Sequence, residues 1–287
     1  MRLLSFMGDA EVTLDFKDEK LLASVAGARG SFSLAGAEDV PMPSWPKPSQ
    51  LAPSPDGLLA AIRFAVFSAD ASGRAGPLSS VCLDGRGAWA TDGARVTFVA
   101  LKGSALKQQV LVPASVVAML PVGDEPVSWG VVEGVLWLVW GQQKIWSRLL
   151  EPPFPDVSPV FQRATALAKK GGLVVEYDST ELASVAEVAA SAGGSPVLRG
   201  RVEKGTLQLS CRGETAEAQV ERKVTAGGSR AFAVDAAKFQ EAVSRFPRMA
   251  ICGEGMLLFG GSLAGGHHVL MEVVDQPEEH HEATAAE

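Results

Sequence analysis

Ala88-Trp-Ala-Thr-Asp-Gly-Ala-Arg-Val-Thr-Phe-Val-Ala100 is the stretch whose reading decides the fold. β-Branched and aromatic residues flank Asp92-Gly93, and glycine supplies the positive φ that a tight turn needs. The stretch therefore predicts two short strands joined as a hairpin. A helix-patterned segment precedes it, an extended segment and another helix follow, and the same alternation recurs along the chain.

Working outward, residues 54–69 carry Leu58, Ile62, Ala65 and Val66 on one helical face, with Ser54 and Asp56 as candidate caps. Strands are expected over 78–83, 87–91 and 95–101. The next unit opens with an extended 109–112 and places Pro113 in the first helical turn, where its missing N–H costs nothing. Val116, Val117 and Leu120 face inward, and strands follow over 127–132, 135–140 and 144–149. A proline-rich linker, 151–156, closes this part. A fourth unit starts with a strand over 173–177, then a helix capped by Asp178, with Glu181 three residues on suggesting a capping box. Leu182, Val185 and Ala189 form its apolar face, before strands 197–202, 206–211 and 216–224. The fifth has strand 231–234, a helix from Asp235 with Phe239, Ala242, Val243 and Phe246 inward, and strands 249–252, 256–259 and 267–274.

Before the first helix, residues 1–8 read as the end of an amphipathic helix. Strands 11–16, 21–26 and 30–34 follow, then a proline-rich linker over 39–48. The strand–helix–three-strand (βαβββ) unit thus occurs four times complete and once in part, an internal repeat in an α+β chain. Residues 275–287 are polar, acidic and expected to be disordered.

Composition narrows the function. At 287 residues the chain is long enough for two or three domains, and 47% hydrophobic with 21% charged residues is a globular balance. A net charge of -7 argues against a simple nucleic-acid binder, although a local basic lining inside an acidic exterior is compatible with it. Cys82, Cys211 and Cys252 stand alone, so neither a zinc site nor a disulfide framework is indicated, and a reducing cytoplasm is the simplest setting. The N-terminus lacks the apolar run of a signal peptide, and no stretch approaches the length of a membrane span. No phosphate-binding loop, nucleophile elbow or zinc-protease motif is present. The glycine-rich 253–261 falls in a hairpin, His267 and His268 point to opposite faces of a strand, and His280-His281 lie in the acidic tail. The expectation is a non-catalytic protein without cofactor or metal.

Ala90-Thr-Asp-Gly-x-Arg95 in this setting resembles the central motif of the bacterial DNA polymerase sliding clamps, the polymerase III beta subunits. Phe32-Ser-Leu34, Trp45 and the run Ser147-Arg-Leu-Leu-Glu-x-x-Phe-Pro-Asp156 resemble further parts of that family. The resemblance implies a DNA-clamp fold, with helices inside and sheets outside. It divides the chain into a partial first domain (1–47), a second (48–160), a third (161–274) and the tail. The first half of the first domain has no counterpart, so the chain is N-terminally shortened or its start is misassigned.

By the same resemblance, a peptide-binding pocket would comprise Leu78, Thr91, Gly93, Arg95, Val96, Val269 and Met271. DNA would face Arg2, Arg63, Arg74, Lys107, Lys238 and Arg245. A chain-to-chain interface would involve Phe32, Leu34, Ala190 and Ser191. Implied partners are a DNA polymerase and other clamp-binding proteins carrying linear motifs, double-stranded DNA held without sequence specificity, a clamp loader, and a second copy held weakly. The alternative is a clamp-derived adaptor or decoy that takes the same peptides, or another clamp subunit, without encircling DNA. Ala94 stands where the family usually has His. The chain also continues as Met271-Glu-Val-Val-Asp-Gln276 where clamps end in a short Pro-containing tail.

Overall fold

The computed structural model describes residues 13–17, 20–25, 28–33, 43–102, 106, 108–120, 126–140, 143–193, 197–212, 217–261 and 265–273. The chain divides into two compact units, Met1–Pro46 and Lys47–Glu287. The first is an antiparallel meander of β1 (Thr13–Lys17), β2 (Lys20–Val25) and β3 (Ala28–Ser33), with Phe32 opposite Leu21.

The second unit holds the remaining elements in order: β4 (Ala52–Pro53), α1 (Leu58–Ala65), β5 (Ser80–Leu83), β6 (Gly87–Thr91), β7 (Arg95–Ala100), β8 (Val110–Pro113) and α2 (Ala114–Val117). Next come β9 (Ser128–Val132), β10 (Val135–Trp140), β11 (Gln143–Arg148), α3 (Ser158–Gly171), β12 (Leu173–Glu176) and α4 (Ser179–Gly193). The chain continues through β13 (Val197–Glu203), β14 (Thr206–Arg212), β15 (Glu217–Lys223), β16 (Arg230–Asp235), α5 (Ala236–Val243), β17 (Arg248–Gly253), β18 (Met256–Gly260) and β19 (His267–Met271).

An eight-stranded sheet, β12-β17-β18-β19-β7-β6-β5-β8, runs through the middle of this unit. Its continuity rests on the antiparallel pairing of β19 with β7, where Val269 lies opposite Val96 and Leu270 opposite Arg95. A four-stranded sheet, β11-β10-β9-β4, packs over one half and another, β15-β14-β13-β16, over the other half. Alternation along each strand sends one set of side chains inward. Leu58, Leu59 and Ile62 of α1 meet Val81, Ala88 and Val99 from the long sheet and Trp129, Leu136 and Leu138 from the first small sheet. Leu182 and Val185 of α4 and Phe239 and Val243 of α5 are enclosed between Ile251, Phe259 and Leu270 on one side and Leu198, Leu209 and Phe232 on the other. Helices interleaved between antiparallel sheets give the α+β architecture.

Several sequence expectations shift in register. α1 is shorter than 54–69, starting after Gly57 at φ 74 and passing into a 3-10 turn over Val66–Ser68. A left-handed residue at the entry leaves no place for Ser54 or Asp56 as cap, and α1 has no side-chain cap. Leu78 is not on a strand; Pro77 sits inside a 3-10 turn over Gly76–Ser79, and β5 begins at Ser80. Pro113 is the last residue of β8, extended at ψ 136, and precedes a helix of one turn. By contrast Asp178 and Asp235 cap as expected, their carboxylates accepting from the backbone N–H of Glu181 and Lys238 at 2.9 Å each. Helix α3 is an element the proline-rich reading of that region passed over.

Candidate peptide-binding site

The hairpin that opened the reading is held by its own side chains. Thr91 Oγ1 donates to the Arg95 carbonyl at 2.6 Å and accepts from the Gly93 N–H at 3.1 Å. Asp92 Oδ1 accepts from the N–H groups of Ala94 and Arg95 at 3.0 and 3.1 Å, and Oδ2 from Arg95 Nε at 3.1 Å. Gly93 takes φ 93, which a residue with a Cβ rarely adopts. Each residue of Thr-Asp-Gly-x-Arg therefore satisfies a polar group of another in a turn with few backbone partners.

Register places the other expected pocket residues at the same end of the long sheet. Met271 donates its N–H to the Ala94 carbonyl at 2.9 Å. Cys82 lies opposite Trp89, so β5 begins level with the end of β6, and Leu78 lies just beyond. The side chains split between two faces. Val96, Val269 and Met271 belong to an apolar cluster with Ala250, Cys252, Met256 and Ala164, and α3 lies over it with Val160, Phe161, Leu167 and Ala168. Val96 and Val269 are thereby buried, while Leu78 and Met271 are half-buried.

Arg95 emerges on the opposite face. It is buried, ion-paired with Asp92 and with Glu241 of α5, and its guanidinium lies 5.4 Å from the Phe67 ring centroid. A cavity of about 530 Å³ opens beside it, walled by Val66, Phe67, Asp70, Pro113, Leu150 and Glu241. Leu78 borders that cavity through its carbonyl, which accepts from the Asp70 N–H at 2.9 Å. Beneath lies His268, fully buried, with Nδ1 2.9 Å from Thr97 Oγ1 and the ring packed against Phe67, Phe246 and Phe259. Burial, then the nearby Arg95 and Arg245 charges, holds its pKa well below the ordinary histidine value.

The basic residues expected to face DNA are less uniform. Arg63 Nη2 donates to the Leu120 carbonyl at 3.0 Å. Lys238 Nζ lies 3.8 Å from carboxylate oxygens of both Asp92 and Asp235. Arg245 donates to the Glu241 carbonyl at 3.0 Å and stacks 4.5 Å over Phe67, and burial lowers its pKa. Arg74 is exposed. Arg2 and Lys107 lie outside the described residues, as does Leu34. Of the expected chain-to-chain residues, Phe32 is on β3, Ala190 is on α4, and Ser191 is exposed near the end of α4. Among the described residues no cluster of His, Cys, Asp or Glu is placed to hold a metal, and no helix is long and apolar enough to cross a membrane.

Sequence reasoning missed α3 as the cover of the Val96–Val269 face. Its signal was available: Val160, Phe161, Ala164, Leu167 and Ala168 recur at helical spacing behind Pro159, which suits a first helical turn.

No protein-family model and no curated protein matches the chain. Solved structures do. A DNA polymerase III subunit beta from Pseudomonas aeruginosa superposes with a TM-score of 0.71 at 20% identity, over 95% of this chain and 81% of its own. A sliding clamp from the same organism bound to griselimycin gives 0.73 at 19% identity, over 96% and 80%. A C. crescentus beta sliding clamp gives 0.70 at 20% identity, over 96% and 79%. With antiparallel sheets on helices and the hairpin at the joint of the long sheet, the fold of this chain is that of the DNA polymerase sliding clamps.

Proposed function

We propose that the chain is a non-catalytic, sliding-clamp-like processivity factor. It sits on or encircles double-stranded DNA without reading sequence, and it takes polymerase and repair partners by short peptide motifs. A cytoplasmic setting, a clamp loader and a weakly held second copy go with that reading. The observation that carries it is the convergence of Leu78, the Thr91–Arg95 turn and Met271 at one end of the continuous sheet. A half-buried methionine beside an apolar-walled cavity makes an adaptable surface that several partners can share.

Burying one leucine and one phenylalanine anchor of a peptide contributes on the order of 3–6 kcal/mol. After the costs of association, micromolar affinity is expected. Met271→Ala and Leu78→Ala should each weaken a Leu- and Phe-bearing clamp-binding peptide about tenfold by calorimetry, a loss of about 1.4 kcal/mol. Tight binding untouched by both changes would remove the site from this end of the sheet.

The adaptor alternative is favoured by the engagement of Arg63, Lys238 and Arg245 with neighbouring protein groups, which leaves little basic surface for phosphates. Retention on nicked circular DNA separates the two. A chain that binds peptide normally yet is never retained is the adaptor.

A further inference from the structure

The outer face of the β15-β14-β13-β16 sheet carries a groove of about 530 Å³. Leu198 and Val202 of β13, and Phe232 and Val234 of β16, point into the core. Arg199 and Arg201 therefore stand on the outer face, and Ala231 and Ala233 beside them keep the β16 side of the groove low. Arg201 is well exposed, with Nε 3.4 Å from Glu203. β16 is an edge strand, whose outward N–H and C=O groups can pair with another segment.

The path of the chain after β19 leads there. Glu272 donates its N–H to the Gly255 carbonyl at 2.8 Å, and Val273 donates to the Ala233 carbonyl at 2.9 Å. Within three residues the chain has left the Ala94 carbonyl of the hairpin and reached the free edge of β16. Glu272 and Val273 themselves line the groove. The residues that follow, 274–287, carry Asp275, Glu278, Glu279, Glu282 and Glu287 and no lysine or arginine.

We propose that residues 274–287 continue along the free edge of β16 and then cross the outer face, setting their carboxylates against Arg199 and Arg201. Pro277 has no N–H, so pairing along the edge stops there and the remainder turns over the sheet. The reach suffices: residues 278–287, fully extended, span about 33 Å. Crossing from β16 to β15 needs about 15 Å at a strand spacing of about 4.8 Å. A segment tethered at the rim of its groove acts at a high effective concentration, which favours it over a separate partner. It also covers an edge that would otherwise invite pairing with another chain.

Hydrogen–deuterium exchange of β16 and cleavage by a glutamate-specific protease test this on the full chain, a chain ending at Val273, and Arg199→Glu/Arg201→Glu. β16 should exchange about tenfold faster in both altered proteins. Cleavage after Glu278 and Glu279 should be about tenfold faster in the double variant than in the wild type, and faster in the wild type at 0.5 M salt than at low salt (all about tenfold or less, as screening predicts). Arg201→Gln, which removes one charge without reversing it, should give an intermediate loss if the double variant does not fold. Equal exchange and equal cleavage in wild type and variants overturn the proposal. Protection of β16 that rises with protein concentration overturns it too, assigning the groove to a second copy.

Discussion

The Thr91-Asp-Gly-Ala-Arg95 run closes its own turn, and Arg95 then carries that turn to α5 through Glu241 and to His268 through their shared burial against Phe67. His268 is where this has a measurable consequence. Its folded pKa lies well below the ordinary value, chiefly through burial, so the folded chain stays unprotonated where the unfolded chain takes up a proton below about pH 6.5. The unfolded state then binds more protons, and stability falls as pH drops below that point by up to about 1.4 kcal/mol per unit. Above it, His268 adds no pH dependence. His268→Leu should flatten the stability curve between about pH 6.5 and 5 in urea titrations. An unchanged slope would mean that His268 is not the group that titrates. At this scale the sequence showed which face of β19 His268 and Val269 occupy, because alternation is a local property. It did not show that Val96 and Val269 are fully covered, because burial depends on α3, a segment more than fifty residues from either hairpin strand in one direction and a hundred in the other (about 60 and 100 positions along the chain).

Strands with strict alternation and flanking turns were legible to within a residue or two: β6 and β10 coincide with their expected bounds, since Gly, Asp and Asn-like turn chemistry punctuates both sides. Helices were less so. The prolines of 152–159 read as a linker throughout, whereas Pro159 sits in the first turn of α3, where proline is accommodated. Leu78 was assigned to a strand because its apolar run continues into β5, but Pro77 makes that stretch a turn. Long-range fit was illegible altogether, and Gly200 is the clearest instance. On β13 it alternates correctly with Leu198 and Val202, yet a methyl at this position would overlap the ring of Phe232 directly opposite on β16. Gly200→Ala should cost about 1–3 kcal/mol by overpacking. The loss should be partly recovered in Gly200→Ala/Phe232→Leu, with a coupling of at least about 1 kcal/mol in a double-mutant cycle. Additive losses would show that the glycine is there for another reason.

Association between copies is decided over the whole chain. A tight interface needs an apolar centre and an edge free of charge. β15, an edge strand, instead reads Glu217-Ala-Gln-Val-Glu-Arg-Lys223, and Gln219, Glu221, Arg222 and Lys223 are exposed. The end of α4 offers Ser191, exposed and polar, and Val188 as its exposed large apolar side chain. Burying one valine contributes about 1.5 kcal/mol, roughly tenfold in association, and charged edge residues that must be desolvated offset part of it. A net charge of -7 adds a repulsion between copies that salt screens. The expected state is therefore a monomer in equilibrium with a dimer that dissociates in the micromolar range, slightly tighter at higher salt. Ser191→Leu, by adding apolar surface beside Val188, should strengthen it about tenfold. Sedimentation over a concentration series reads both effects. A closed oligomer that persists at nanomolar concentration would place the interface elsewhere and would restore a ring that holds itself shut on DNA.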